Sequence, residues 1–221
     1  MAETNFTYTL DEGSFLVKLA RSAVEAIVTR KEIISIPESV PEKLQKESGV
    51  FVTLNKLASG ERRSGLREHE LRGCIGRPMP SQPLVEATRD SAIDAAIHDP
   101  RFDPVQPHEL GDILVEVTAL TPPVLLITAN PEDREKAIKV GRDGLLIEAI
   151  TPFGPRRGLL LPQVPVEWHW DEKEFLNQIC YKAGLSPDYW LKSKTKLYTF
   201  QGEIFMEETP RGNKIVRKVI N

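Results

Sequence analysis

At 221 residues, with 40% hydrophobic and 28% charged side chains, the chain has the makeup of an ordinary globular protein, long enough for one large domain or two small ones. Its 29 basic and 32 acidic side chains leave a formal net charge of −3, which excludes a global field drawing it to nucleic acid or anionic lipid. No apolar run approaches the ~20 residues that span a bilayer, no basic segment followed by an apolar core opens the chain, and two distant cysteines make no disulfide framework, so a cytoplasmic protein is expected.

Leu16, Leu19, Ala20, Ala23, Val24, Ile27 and Val28 recur at three- and four-residue spacing, the stripe of an amphipathic helix, with Asp11 or Ser14 placed to cap it. Residues 50–57 alternate as a strand, and a charged loop over 59–70 leads into Leu71-Arg72-Gly73-Cys74-Ile75-Gly76. A second amphipathic helix is predicted over 84–97, and a loop holding three prolines follows from His98. Residues 113–120 alternate cleanly until Pro122 and Pro123. Pro131 opens a helix expected to reach about Val140, and Gly141 to Gly144 reads as a turn. Strands at 145–150 and 158–161 are joined by residues 151–157, Asp171 caps a helix ended by Gly184, and residues 197–206 form a last strand before a tail over 209–221. Mixed helices and short strands with few βαβ-length units indicate an α+β fold.

The hexapeptide sets a thiol between glycines and beside a permanent cation. Glycine serves close backbone approach or positive φ, and the charge of Arg72 favours a thiolate. In a regular strand Arg72 and Cys74 share one face, with Gly73 on the other.

These residues closely resemble the AMMECR domain family over about residues 8–208. The resemblance rests on the hexapeptide, on Asp99-x-Arg101-Phe102-x-Pro104 with Glu109-Leu110, on Glu116-Val117, on Gly141-x-x-Gly144, and on Leu161-Pro162-x-Val164-x-x-Glu167 with Trp170. It implies an α+β fold of two related β-α halves, about 8–125 and 126–208, sharing one barrel-like, mainly antiparallel sheet with flanking helices and a cleft at the hexapeptide. It also implies a link to Memo-type proteins or a radical S-adenosylmethionine enzyme as partners. It carries no settled reaction and leaves the cofactor unknown.

Cys74 reads either as a nucleophile or as a small buried residue packed between glycines; Cys180, on an apolar helix stripe, reads as core. Among His69, His98, His108 and His169, His98 is the candidate proton partner because it precedes the Asp99–Phe102 motif. Glu167, beside Trp168 and Trp170, is a candidate acid or base if the indoles desolvate it, or else a salt-bridge residue. Arg72 and Arg101 are candidate anion anchors, with Gly73, Ile75, Gly76 and Phe102 completing a site for a small ligand; Arg101 and Asp103 are otherwise expected to pair with each other. The chain has no C-x-x-C and no H-E-x-x-H, so no metal site is expected. The rival classes are an adaptor docking a protein and a nucleic-acid module. The latter would use Arg62, Arg63, Arg67, Arg72 and Arg77 with Arg156 and Arg157; Glu61, Glu68 and Glu70 interleave with the first group and favour a solvated loop.

Overall fold

The structure is a computed structural model that describes residues 7–57 and 69–218. In chain order it forms α1 (Leu10–Arg30), β1 (Val50–Leu57), β2 (His69–Arg77), α2 (Leu84–Ile97), β3 (Ile113–Leu120), β4 (Val124–Leu125) and α3 (Arg134–Ala137). There follow β5 (Gly144–Thr151), β6 (Gly154–Leu160), α4 (Gln163–Glu167), α5 (Glu172–Lys182), β7 (Lys196–Phe200), β8 (Gly202–Glu207) and β9 (Ile215–Lys218). The chain divides into two compact units, residues 7–120 with 203–218 and residues 121–202. The α+β class is as expected. The strands, however, are shared between two open sheets and do not close into one barrel-like sheet.

In the first unit the order is β2-β1-β3-β8-β9, and β1 runs antiparallel to both neighbours. Val50, Val52 and Leu54 of β1 pack with Val115, Val117 and Ala119 of β3 beneath Leu16, Ala20 and Val24 of α1 and Leu84, Ala92 and Ala96 of α2. Burying each of the larger of these side chains contributes about 1.5–3 kcal/mol. The cap of α1 is Thr9, earlier than Asp11 or Ser14, because it forms a reciprocal pair with Glu12: the Glu12 N–H donates to Thr9 Oγ1 at 3.1 Å and the Thr9 N–H to Glu12 Oε2 at 2.7 Å. A buried ion pair ties α1 to β8, with Arg21 Nε 2.8 Å from Glu207 Oε1 and its Nη2 donating to Oε2. The expected tail contains β9, which pairs with β8.

The second unit orders its sheet β4-β7-β5-β6. Phe175, Leu176, Ile179 and Cys180 of α5 bury against Leu145, Ile147 and Leu197. Asp171 caps α5 as expected, accepting from the Glu174 N–H at 2.8 Å. The predicted helix from Pro131 to Val140 is only a short turn. Ile138 is extended, and the Asp143 carboxylate takes the Lys139 N–H at 2.9 Å, which stops the helix at Ala137. The seven-residue hairpin loop shrinks to Pro152 and Phe153, since Gly154 supplies φ 104° and Thr151 Oγ1 donates to its carbonyl at 2.8 Å. Residues Gln163–Glu167 form the short helix α4. The last predicted strand is two: β7 belongs to one sheet and β8 to the other, with Gln201 between them bonded at both N and O to Thr121, each at 2.8 Å.

Candidate functional site

The hexapeptide lies in β2, the edge strand of the five-stranded sheet. Its register against β1 runs from Val50↔Arg77 to Leu54↔Gly73 and then shifts to Asn55↔Leu71, so Arg72 is the extra residue of a bulge. Alternation puts Gly73, Ile75 and Arg77 on the side of α1 and α2, and Cys74 and Gly76 on the opposite side. A Cβ on Gly73 would stand 2.2 Å from the Ala95 carbonyl oxygen of α2, and one on Gly76 would stand 2.3 Å from the Phe51 ring. Close packing therefore requires both glycines, and neither has positive φ. Ile75 packs against the helix-side core.

The bulge takes Arg72 out of the regular alternation with Cys74. Its Nε and Nη2 donate to Glu109 at 2.8 and 2.9 Å, and Nη2 also donates to the Asp103 carbonyl at 3.0 Å. The hydrogen bonds from Arg72 hold the Glu109 carboxyl down to about 2. The Arg72 charge, expected to favour a Cys74 thiolate, is thus matched by a carboxylate.

Arg101 pairs with Asp99 and not with Asp103. Its Nε lies 2.9 Å from Asp99 Oδ1 and its Nη2 2.7 Å from Oδ2. The same two side chains satisfy the outer edge of β2: Asp99 Oδ2 accepts the Cys74 N–H at 2.8 Å, and Arg101 Nη2 donates to the Cys74 carbonyl at 3.2 Å. Together they do what a neighbouring strand would do at that residue, which blunts an edge open to further pairing. Hydrogen bonds from Arg101 hold the Asp99 carboxyl far below the usual carboxylate range. Phe102 lies between the two cations, 5.9 Å from the Arg72 guanidinium and 5.5 Å from that of Arg101.

On the face opposite the helices, Cys74 pairs across to Thr53 and Thr53 across to Glu116, giving a row of three half-buried polar side chains on β2, β1 and β3. Thr53 Oγ1 donates to Cys74 Sγ at 3.3 Å, and Glu116 Oε2 receives Lys218 Nζ of β9 at 2.7 Å. Burial pushes the Cys74 thiol up, outweighing the Thr53 hydrogen bond and the Arg101 charge, which lower it. Burial thus favours the neutral thiol over the thiolate. Cys180 is wholly buried in the second unit, and its thiol is pushed up to about 11 by desolvation.

His98, at the C-terminal end of α2, has its Nδ1 2.8 Å from Asp94 Oδ1; Asp94 Oδ2 also receives Arg77 Nη2 at 2.7 Å. Burial pushes the Asp94 carboxyl up, but these partners more than offset it and the net shift is downward. Glu167 ends α4 in the second unit and is exposed, so the desolvation that would have suited it to proton transfer is not met. Trp168 and Trp170 stack with centroids 6.2 Å apart. His108 and His169 are exposed. Of the arginines expected to form a nucleic-acid track, Arg62, Arg63 and Arg67 lie outside the described residues; Arg72, Arg77 and Arg157 are each paired to a carboxylate, the last to Glu148 at 2.9 Å. No cluster of three or more potential metal ligands occurs among the described residues.

Thr53 lies outside every motif, and Glu116 stands in the Glu116-Val117 motif with no site role assigned to it. Each is the polar member of an apolar alternation, and that alternation assigned them to the face away from the core. Only the strand register aligns them with Cys74.

The AMMECR1 family model matches residues 17–205. Protein TK0174 of Thermococcus kodakarensis is 58% identical over 200 residues, covering 90% of this chain and 92% of that protein. Protein MJ0810 of Methanocaldococcus jannaschii is 46% identical over 212 residues, covering 96% and 98%. The crystal structure of uncharacterized protein PH0010 from Pyrococcus horikoshii shares the fold with a TM-score of 0.77 at 50% identity, covering 97% of this chain and all of that one.

Proposed function

The chain belongs to the AMMECR1 family, and on that premise we propose that it binds a small ligand at the hexapeptide, on the sheet face opposite α1 and α2. The observation that carries this reading is the Cys74–Thr53–Glu116 row. Three polar side chains in cross-strand register, all half-buried, form a surface of donors and acceptors on a rigid support. Arg101 borders it with a side chain 53% exposed. The role of Cys74 in this proposal is that of a neutral contact group, not a nucleophile, because burial disfavours its thiolate.

The test is retention of small molecules. The full chain is immobilised, exposed to the small-molecule fraction of a cell extract, washed, and its eluate compared by mass spectrometry with that of Glu116→Gln and Thr53→Val. A compound enriched on the native chain and reduced on Glu116→Gln is the expected result. Loss of one charged hydrogen bond, about 1.5–3 kcal/mol, corresponds to roughly ten- to a hundredfold in affinity. Equal retention by native chain and variants, with circular dichroism showing all three folded, would overturn the proposal.

A further inference from the structure

Arg134 is 7% exposed, yet no carboxylate among the described residues pairs with it. It stands at the start of α3 in the second unit, its Nη1 donating to the Trp190 carbonyl and its Nη2 to the Thr195 carbonyl at 2.9 Å. Its Nε is buried without a hydrogen-bond partner. The side chain lines an open cavity of about 270 Å³ whose wall also holds Leu125, Ile127, Thr128, Ser193 and Lys196.

We propose that this cavity binds a small organic anion, a carboxylate on a short apolar body, with the Arg134 guanidinium as its counter-charge. A strut between loops needs only the two carbonyl contacts that Nη1 and Nη2 already make. It gives no reason to keep a full charge out of water, where an uncompensated ion costs several kcal/mol. Guanidinium remains protonated in proteins, so the charge cannot be shed. An anion in the cavity supplies what the protein itself leaves out. Lys196, exposed on β7, adds a second cation at the rim. The Thr128 hydroxyl gives its proton to the Asn130 carbonyl at 2.8 Å, so it faces a ligand as an acceptor only; Ser193 supplies the other hydroxyl.

The rest of the wall decides the ligand's body. Leu125 and Ile127 are 43% and 85% exposed, apolar surface that an inorganic ion would leave wet and a short alkyl chain would cover. The volume lies just below the ~300–1,000 Å³ of sites for drug-sized molecules, which sets the scale at a few carbons beyond the carboxylate.

The experiment titrates the full ¹⁵N-labelled chain with sodium hexanoate, using hexan-1-ol as the uncharged match and sodium chloride as the salt control. The readout is the Arg134 Nε–Hε resonance, assigned by its absence from Arg134→Lys. Hexanoate is expected to move it saturably, while hexan-1-ol and chloride do not. Lys196→Ala, an exposed substitution that leaves the fold unchanged, is expected to weaken hexanoate binding roughly two- to fivefold. No movement with hexanoate, or the same movement with hexan-1-ol, would overturn the proposal. So would unchanged hexanoate affinity, measured by calorimetry, in a folded Arg134→Gln.

Discussion

Arg21 and Arg134 are the two buried arginines among the described residues, and the two units treat them in opposite ways. Arg21 meets Glu207 through its Nε and Nη2, and Nη2 also donates to the Ile113 carbonyl at 2.5 Å. Arg134 meets only carbonyl dipoles. The surface of the first unit near the hexapeptide follows the Arg21 pattern, with Arg72 on Glu109 and Arg101 on Asp99. A charge closed by its own acid is architecture: it fixes α1 to β8, or a loop to an edge strand. A charge left open beside a cavity has an unused interaction. The difference argues against reading every arginine near a conspicuous motif as an anion anchor, and it moves the anion site to a unit where no motif advertised one.

The largest effect expected from breaking this contrast is at Glu207. Glu207→Gln leaves Arg21 buried without its counter-charge and should lower unfolding free energy by about 3–5 kcal/mol in denaturant titration. Arg134→Met removes a charge that has no acid to abandon, so the loss should be smaller, about 1–2 kcal/mol for the carbonyl contacts. Equal losses would erase the distinction between the two arginines. Next in size is Gly73→Ala, which forces a methyl against the Ala95 carbonyl and should destabilise by about 1–3 kcal/mol. Gly111→Ala, with open space around it, should stay within about 0.5 kcal/mol and serves as the matched control.

Acid should separate the two patterns as well. The Glu109 carboxyl is held at about 2 in the folded chain against 4.5 for the unmodified group. Its folded value is the lower one, so its contribution is complete above about pH 4.5 and is lost as pH falls toward 2. Thermal unfolding across that window should show a decline that Glu109→Gln flattens. The contacts of Arg134 contain no carboxylate and should persist through the same range. A pH profile unchanged by Glu109→Gln would mean that the Arg72 pair adds little to folding.

Much of this was written locally. Residues 50–57, 84–97 and 113–120 appear within the predicted bounds because period-2 or helical apolar patterns were bracketed by prolines or charged loops. What was not legible depended on partners distant in the chain. Residues 197–206 read as one apolar strand, and nothing local marks Gln201 as the point where the chain leaves one sheet for the other. Asp99 was visible as part of a motif, yet its task, holding the Cys74 amide and Arg101 together, depends on the close approach of a loop to an edge strand. Arg134 falls inside the helix expected from Pro131 to about Val140, and nothing in the local sequence marks it as buried. Its burial follows from that helix ending after one turn, where Asp143 intercepts the backbone.

The two cysteines give the smallest and most discriminating comparison. Both thiols are raised by burial, so neither should react with iodoacetamide as fast as an unhindered cysteine at pH 8. They differ in what must happen before reaction. Cys74 is half-buried on a sheet face and held by the Thr53 hydroxyl; its slow rate should scale with hydroxide concentration, and Thr53→Val, which removes a bond favouring the thiolate, should slow it a little further. Cys180 lies wholly within the core formed by α5, Leu145, Ile147 and Leu197, so its labelling should await opening of that unit and follow denaturant, not the chemistry of its neighbours. Peptide mass mapping of singly labelled chain resolves the two. If Cys74 labels faster than an unhindered thiol, burial is not the dominant influence at the hexapeptide, and the case for a binding surface without a nucleophile fails there, whatever the fate of the Arg134 cavity.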